Sequence, residues 1–228
     1  VELRLRTMDD ADGQSLSDVS VRACATQADC STPIGRAVSG EDGFVQLSID
    51  FSRAPVSTST VSFTGVLLFE SASETGVSPQ LLQQTRPWHD EDFLPFSIVG
   101  REREAVVAQM VERMPHDARL VPVQMQVQDC NDRPAEGLKL ELWSVEATGF
   151  RKCELCRIAY LSADAIATDP VLDRTSTAGQ AYAVVPEGEL MVTVRDATDD
   201  RLLSLMRPFA VSSGTFYDLN FYPASRDQ

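Results

Sequence analysis

The sequence predicts an all-β chain built as two tandem β-sandwich domains joined by a short helix or linker. Three observations predict it. Short apolar/polar alternations recur along most of the 228 residues, and alternation with period 2 is the mark of a half-buried strand. Turn residues separate these runs every eight to twelve positions or so, the spacing expected of sandwiches or partly open barrels. Finally, the two halves can be laid over one another. Leu81-Leu82-Gln83-Gln84-Thr85-Arg86-Pro87 matches Leu202-Leu203-Ser204-Leu205-Met206-Arg207-Pro208 at four of seven places, an offset of 202 − 81 = 121. The opening strands at 1–7 and 121–127 show nearly the same offset, and each leads into an Asp-containing turn. Two matches in the same order argue for duplication. The expected division is 1–100 for the first domain, 101–116 for the connecting helix or linker, and 117–228 for the second domain.

Val1, Leu3 and Leu5 alternate with Glu2, Arg4 and Arg6, giving the first strand. The run Asp9-Asp10-Ala11-Asp12-Gly13 has the look of a calcium loop, but Met8 holds the first ligand position and Val19 stands where the bidentate Glu belongs. It reads as an Asp-Gly turn. A strand at 19–24 follows, then a turn at 40–43, a strand at 44–49 and a polar, Pro-containing loop at 53–60. Strands at 61–70, 81–86 and 93–99 complete the first half, with Trp88-His89-Asp90-Glu91-Asp92 as an acidic loop.

Residues 101–114 break the rhythm. Ala105, Val106, Met110, Val111 and Met114 recur at helical spacing and Pro115 ends the run, which predicts a short helix. From Val121 the strands resume, with Val121, Val123, Met125 and Val127 on one face and Leu138, Leu140 and Leu142 next. The stretch 175–194 reads as strand, turn, strand. Ala181, Ala183 and Val185 oppose Tyr182 and Val184, Pro186-Glu187-Gly188 turns the chain, and Leu190, Val192 and Val194 alternate again, as in a central hairpin. Strands at 202–206 and 215–222 finish the chain.

The second half carries Asp129-Cys130, Pro134-Ala135, Gly137, Thr175, Gly179, Val185-Pro186-x-Gly188 and a closing Arg207-Pro208 to Gly214-Thr215. Over 117–223 it resembles the carboxypeptidase-regulatory-like domains of bacterial surface proteins. The likeness is greatest to the tandem versions in predicted surface lipoproteins of myxobacteria and their relatives. The resemblance implies a transthyretin-like, Ig-like sandwich and a cell-envelope setting. It supplies no catalytic residues, because these motifs mark turns and strand ends.

Composition narrows the function classes. With 34 acidic against 20 basic side chains the formal charge is −14, which disfavours phosphate backbones and anionic leaflets as partners. No run approaches the roughly 18 apolar residues of a membrane span. The chain begins at Val1, and an anchoring lipid would sit on a segment preceding it.

Five cysteines in a chain with this resemblance predict two disulfides and one free thiol. Cys24-x5-Cys30 suits a bridge across a small loop. Cys130, Cys153 and Cys156 share the second, and spacing leaves open Cys153 with Cys156 or a longer link from Cys130 to either. Cys153-x-x-Cys156 lies in a polar loop rather than at a helix N-terminus, which speaks against redox work. Only His89 and His116 are present, and neither has zinc-ligand spacing to the pair. Neither histidine sits in a nucleophile motif, so no catalytic, cofactor or metal residue is predicted. Trp88 and Trp143 are the candidates for stacking on a sugar or other ligand.

The expected role is therefore a non-enzymatic, extracytoplasmic structural or adhesion module. Its partners are other proteins or further copies of itself at the cell surface, in some assembled structure, with no nucleic acid and no membrane insertion of this chain. The alternative is a glycan- or peptide-binding accessory module of a secreted or envelope system.

Overall fold

A computed structural model describes residues 1–9, 12–50, 62–71, 78–112, 119–165, 167–206 and 208–222. The expected loop at 53–60, Val61, Met114, Pro115, His116, Asp10, Ala11 and Arg207 lie outside the described residues. Among the described residues the structure is all-β apart from one short α-helix and one 3-10 turn. It divides into two compact units, Val1–Gln83 with Pro87–Arg103, and Gln84–Arg86 with Glu104–Gln228.

The first unit contains β1 (Glu2–Asp9), β2 (Val19–Cys24), β3 (Gly35–Val38), β4 (Phe44–Ser48), β5 (Ser62–Phe63), β6 (Val66–Ser71), β7 (Gln80–Gln84), β8 (Trp88–His89) and β9 (Phe93–Ile98). One layer has the order β4-β1-β9 and the other runs β7-β6-β2-β3, with β5 and β8 forming a separate ribbon. Alternation assigns the faces. Leu3, Leu5, Val45 and Leu47 are buried, whereas Arg4, Phe44 and Gln46 on the opposite phase are exposed. From the other layer Val19, Val21, Leu67, Phe69 and Leu82 meet them in one core. Phe69 of β6 stacks on Phe96 of β9 at 4.0 Å between ring centroids, a contact that joins the layers. Each such buried side chain contributes on the order of 2 kcal/mol.

Helix α1 (Arg101–Glu112) precedes the strands of the second unit. These are β10 (Leu120–Val127), β11 (Leu138–Glu146), β12 (Gly149–Lys152), β13 (Arg157–Tyr160), β14 (Gln180–Pro186), β15 (Gly188–Asp196), β16 (Leu202–Leu205), β17 (Phe209–Val211) and β18 (Phe216–Phe221). One layer runs β13-β14-β10-β18 and the other β12-β11-β15-β16, with β17 also on β15. Tyr160 ties the two, its buried hydroxyl accepting the Leu140 N–H at 3.0 Å.

The stretch at 175–194 is not a hairpin. β14 pairs with β10 and β13, and β15 pairs with β11, β16 and β17. The single residue Glu187 between them carries the chain from one layer to the other as an arch. Alternation reports which faces are buried and is silent on which strand is the partner, so both strands were legible and their pairing was not. The helix is also turned from the expected phase. Val107 and Ala108 are buried and Met110 and Val111 half-buried, but Val106 faces outward.

The two units share one topology. In each, the first strand is parallel to the last (β1 with β9, β10 with β18) and antiparallel to one further strand of its layer (β4, β14). The second strand of each lies in the other layer, where it pairs antiparallel with a neighbour (β2 with β6, β11 with β15). β7 and β16, the strands that contain the sequence match, occupy the same place beside β6 and β15.

The correspondence extends to single hydrogen bonds. Thr7 N–H donates to Gly43 O at 2.9 Å and Val127 N–H to Gly179 O at 2.8 Å. Ser39 Oγ donates to Leu16 O at 2.8 Å and accepts from Val19 N–H at 2.9 Å. Thr175 Oγ1 repeats this, donating to Ala135 O at 2.8 Å and accepting from Leu138 N–H at 3.0 Å. Both hydroxyls are buried, where an unpaired carbonyl or N–H would cost about 1–3 kcal/mol. Gly43 and Gly179 have φ of +75° and +64°, and a Cβ at either would meet a backbone oxygen at 2.6 or 2.7 Å. Only glycine fits that crossing.

Candidate functional site

The cysteines form two short staples. Cys24 is bonded to Cys30, six residues on, and Cys153 to Cys156, three residues on, with Cα separations of 5.1 and 5.4 Å. Both distances suit a disulfide. Cys130 is free and exposed, so the longer link from it is not made. The first staple closes the 3-10 turn Gln27–Ser31 against the end of β2, with Cys24 fully buried. Arg22 steadies that turn by donating from Nη1 to Cys30 O at 2.8 Å.

The second staple lies at the surface. β12 is an edge strand with all four residues exposed, so it has no inward phase that a sequence could reveal. Cys153 N–H donates to Leu142 O at 2.9 Å, fixing the loop to β11. Arg157 Nη1 donates to the carbonyls of Glu154 and Cys156 at 3.0 and 3.1 Å. Arg151 pairs with Glu154 at 2.8 Å, and that carboxylate raises the guanidinium pKa above its ordinary value. The loop is held from both flanks and presents Leu155 at 64% exposure, while Phe150 on β12 is 57% exposed. Sequence reading passed over both residues, although a bulky apolar residue inside a disulfide loop of four is itself a signal.

The expected ligand-contact residues separate. Trp88, on β8 opposite Phe63, is 3% exposed and belongs to the first unit's core, so its ring has no open face for a ligand. Trp143, on β11, is half-buried, and its indole N–H donates to Thr193 Oγ1 on the neighbouring strand at 3.1 Å. The acidic run beside Trp88 shapes a turn. Asp92 Oδ2 accepts His89 N–H and Asp90 Oδ1 accepts Glu2 N–H, both at 2.8 Å. Glu91 takes φ +62° between them. Among the described residues no group of three or more His, Cys, Asp or Glu side chains is placed to hold a metal ion. No helix among them is long and apolar enough to cross a membrane.

No family model matches the chain, and no curated protein matches it. Among solved structures, the shaft pilin of Lactobacillus rhamnosus GG is similar over 98% of this chain and 98% of its own, at 8% identity and a TM-score of 0.28. A streptococcal ancillary pilin is similar over 96% of this chain and 62% of its own, at 10% identity and a TM-score of 0.27. The Bacillus anthracis TIE protein is similar over 97% of this chain and 33% of its own, at 9% identity and a TM-score of 0.26. This chain therefore spans about a third of the length of the last and under two thirds of the streptococcal protein.

Proposed function

We propose that the chain is a non-enzymatic, extracytoplasmic structural or adhesion module whose stapled loops and open strand edges make contacts with other proteins at a surface. The two disulfides carry this reading. Paired cysteines persist where the surroundings are oxidising and are rare where cytosolic thiols keep them reduced, and here they stiffen the two loops that join the edge strands β3 and β12 to their units. The affiliation to carboxypeptidase-regulatory-like modules of surface lipoproteins belongs to the same proposal. It is supported by the turn motif Val185-Pro186-Glu187-Gly188, which forms the arch between layers, and by Gly179 and Thr175, which hold the crossing opposite it.

Non-reducing peptide mapping by mass spectrometry, on protein recovered from its native cells, tests the address. Crosslinked Cys24–Cys30 and Cys153–Cys156 peptides with Cys130 unpaired are expected. Five free thiols would sink the proposal, since a cytosolic protein has no need of loops poised to oxidise.

A further inference from the structure

The outer face of the β4-β1-β9 layer differs from its duplicate in one respect that the fold does not require. In the second unit part of the corresponding face is covered. Helix α1 lays Val107, with Met110 and Val111 beside it, against Tyr182 of β14 and Leu161. Tyr182 is the third residue after Gly179, and Gln46 of β4 is the third after Gly43, so the two stand at the same place on the same face. Around Gln46 the described residues offer no such cover. Phe44 and Phe93 are 48% and 55% exposed, and their rings meet at 6.3 Å between centroids. Both sit on the outward, polar phase of their strands, where a soluble sheet would carry Gln or Ser.

On the sheet face itself Arg4 and Arg6 outnumber Glu2, while the acidic runs Glu41-Asp42 and Asp90-Glu91-Asp92 adjoin Phe44 and Phe93 in the chain. Arg6, opposite Phe44 in register, holds its guanidinium 5.4 Å from the centre of that ring. Arg4 lies between Gln46 and Phe93. Among the described residues neither arginine has a carboxylate partner. The acid on the same face of β1, Glu2, lies at its far end, engaged by the Ser48 hydroxyl. In a chain of net charge −14, two arginines alternating with two half-exposed phenylalanines across three strands form a cationic aromatic platform.

We propose that this platform docks an amphipathic helix of a partner protein, its apolar stripe seated on Phe44 and Phe93 and acidic side chains on its rim paired with Arg4 and Arg6. In the duplicate a helix packs on the outward face of β14 at Tyr182, while Gln180 and Asp218 stand where Phe44 and Phe93 stand here. The arginines set the sign of the partner's charge, and burying the two rings supplies the apolar contact. The site is distinct from the stapled loops and stands whether or not the protein is extracytoplasmic.

The test uses the full chain and two synthetic helical peptides of about 18 residues, long enough to be helical on a surface. Both share a Leu/Ile stripe, and one is flanked by Glu, the other by Lys. Calorimetric titration is expected to show saturable binding of the Glu peptide only. Phe44→Ser with Phe93→Ser, and separately Arg4→Glu, are expected to weaken it at least about tenfold, with unchanged melting temperatures because these three side chains are exposed; Arg6, half-buried and bonded to Ser15 Oγ at 3.1 Å, is left in place. Raising the salt is expected to weaken binding further. Absence of binding, equal binding of the two peptides, or binding indifferent to the Phe pair overturns the proposal. Binding of polygalacturonate that is lost in the same variants, without binding of the Glu peptide, overturns it in favour of an anionic sugar. None of these outcomes touches the thiol mapping that tests the proposed role.

Discussion

Ser39 and Thr175 are small residues with a large share in the architecture, because each hydroxyl satisfies one carbonyl and one N–H at the crossing of a connecting segment and a strand. Thr175→Val keeps shape and removes only the hydroxyl, leaving Ala135 O and Leu138 N–H buried without it. We expect a loss of about 1–3 kcal/mol from that change, and a similar loss from Ser39→Ala. Urea denaturation checks both, and a change below about 0.5 kcal/mol would show that water replaces the clamp. Exposed carboxylates act at turns in the same local way. The N–H groups of Arg133 and Asn131 hold the Asp129 carboxyl below its ordinary value. Ser213 does so for Glu187 and the Thr198 N–H for Asp196. A depressed folded-state pKa means that the folded chain binds fewer protons than the unfolded one. The stability these groups add is complete above the unfolded carboxylate value of about 4 and is lost as pH falls through the lower folded values. Thermal melts are expected to be flat between about pH 5 and 7 and to fall below about pH 4. The Asp129→Ala, Glu187→Ala, Asp196→Ala triple variant should show the shallower fall, and an unchanged acid limb would assign it to other carboxylates.

At the scale of the element, the strands that fill the core were readable and those at the edges were not. β10 buries every second residue in strict alternation, and β1 and β4 do so nearly as well. β12 has no buried residue, and β3 is only half-buried on one phase, so neither carries a period to read. Pairing is a relation between distant residues, which is why the strands at 180–186 and 188–196 looked like a hairpin and are an arch. The site divides in the same manner. Cys24 and Cys30 were legible as a pair from spacing, whereas the choice among Cys130, Cys153 and Cys156 depended on where β11 holds Cys153. Trp88 looked like an exposed ring in an acidic loop because nothing local reveals that β8 turns it inward against Phe63. Phe44 opened the strand expected at 44–49, and its place on the outward face beside Arg6 and Phe93 required the pairing of three strands. The staples themselves should differ in worth. Chain entropy gives about 2 kcal/mol for either short loop, but Cys24 is also a core residue. Cys24→Ala with Cys30→Ala is therefore expected to cost more than Cys153→Ala with Cys156→Ala in chemical denaturation. The reverse order would mean that the exposed loop is coupled to the second unit more tightly than its hydrogen bonds indicate.

On the scale of the molecule, duplication explains why one topology, one clamp and one glycine crossing occur twice in a chain of 228 residues. It also makes a claim about folding. A unit that carries its own two layers and core should fold without the other, and we propose that 101–228 is such a domain. The boundary is not clean, because Gln84–Arg86 belong to the second unit. Thr85 Oγ1 accepts Tyr222 N–H at 2.8 Å and donates to Tyr222 O at 3.2 Å, while Thr85 N–H donates to Asn220 O at 3.0 Å. Arg86 pairs with Asp132 at 2.7 Å and lies 4.4 Å over the Tyr222 ring. The ion pair is exposed and adds little, so the Thr85 side chain is the part that matters. In the intact chain Thr85→Val removes both side-chain bonds at constant shape and is expected to cost about 1–2 kcal/mol. The 101–228 fragment lacks these residues altogether. It should still give a β-type circular dichroism spectrum and a single cooperative transition, with the Tyr222 amide after its last strand, β18, less protected in hydrogen exchange than in the full chain. A random-coil spectrum would show that the second sandwich is not a domain in its own right. Equal protection of the Tyr222 amide would show that Thr85 is a bystander to it.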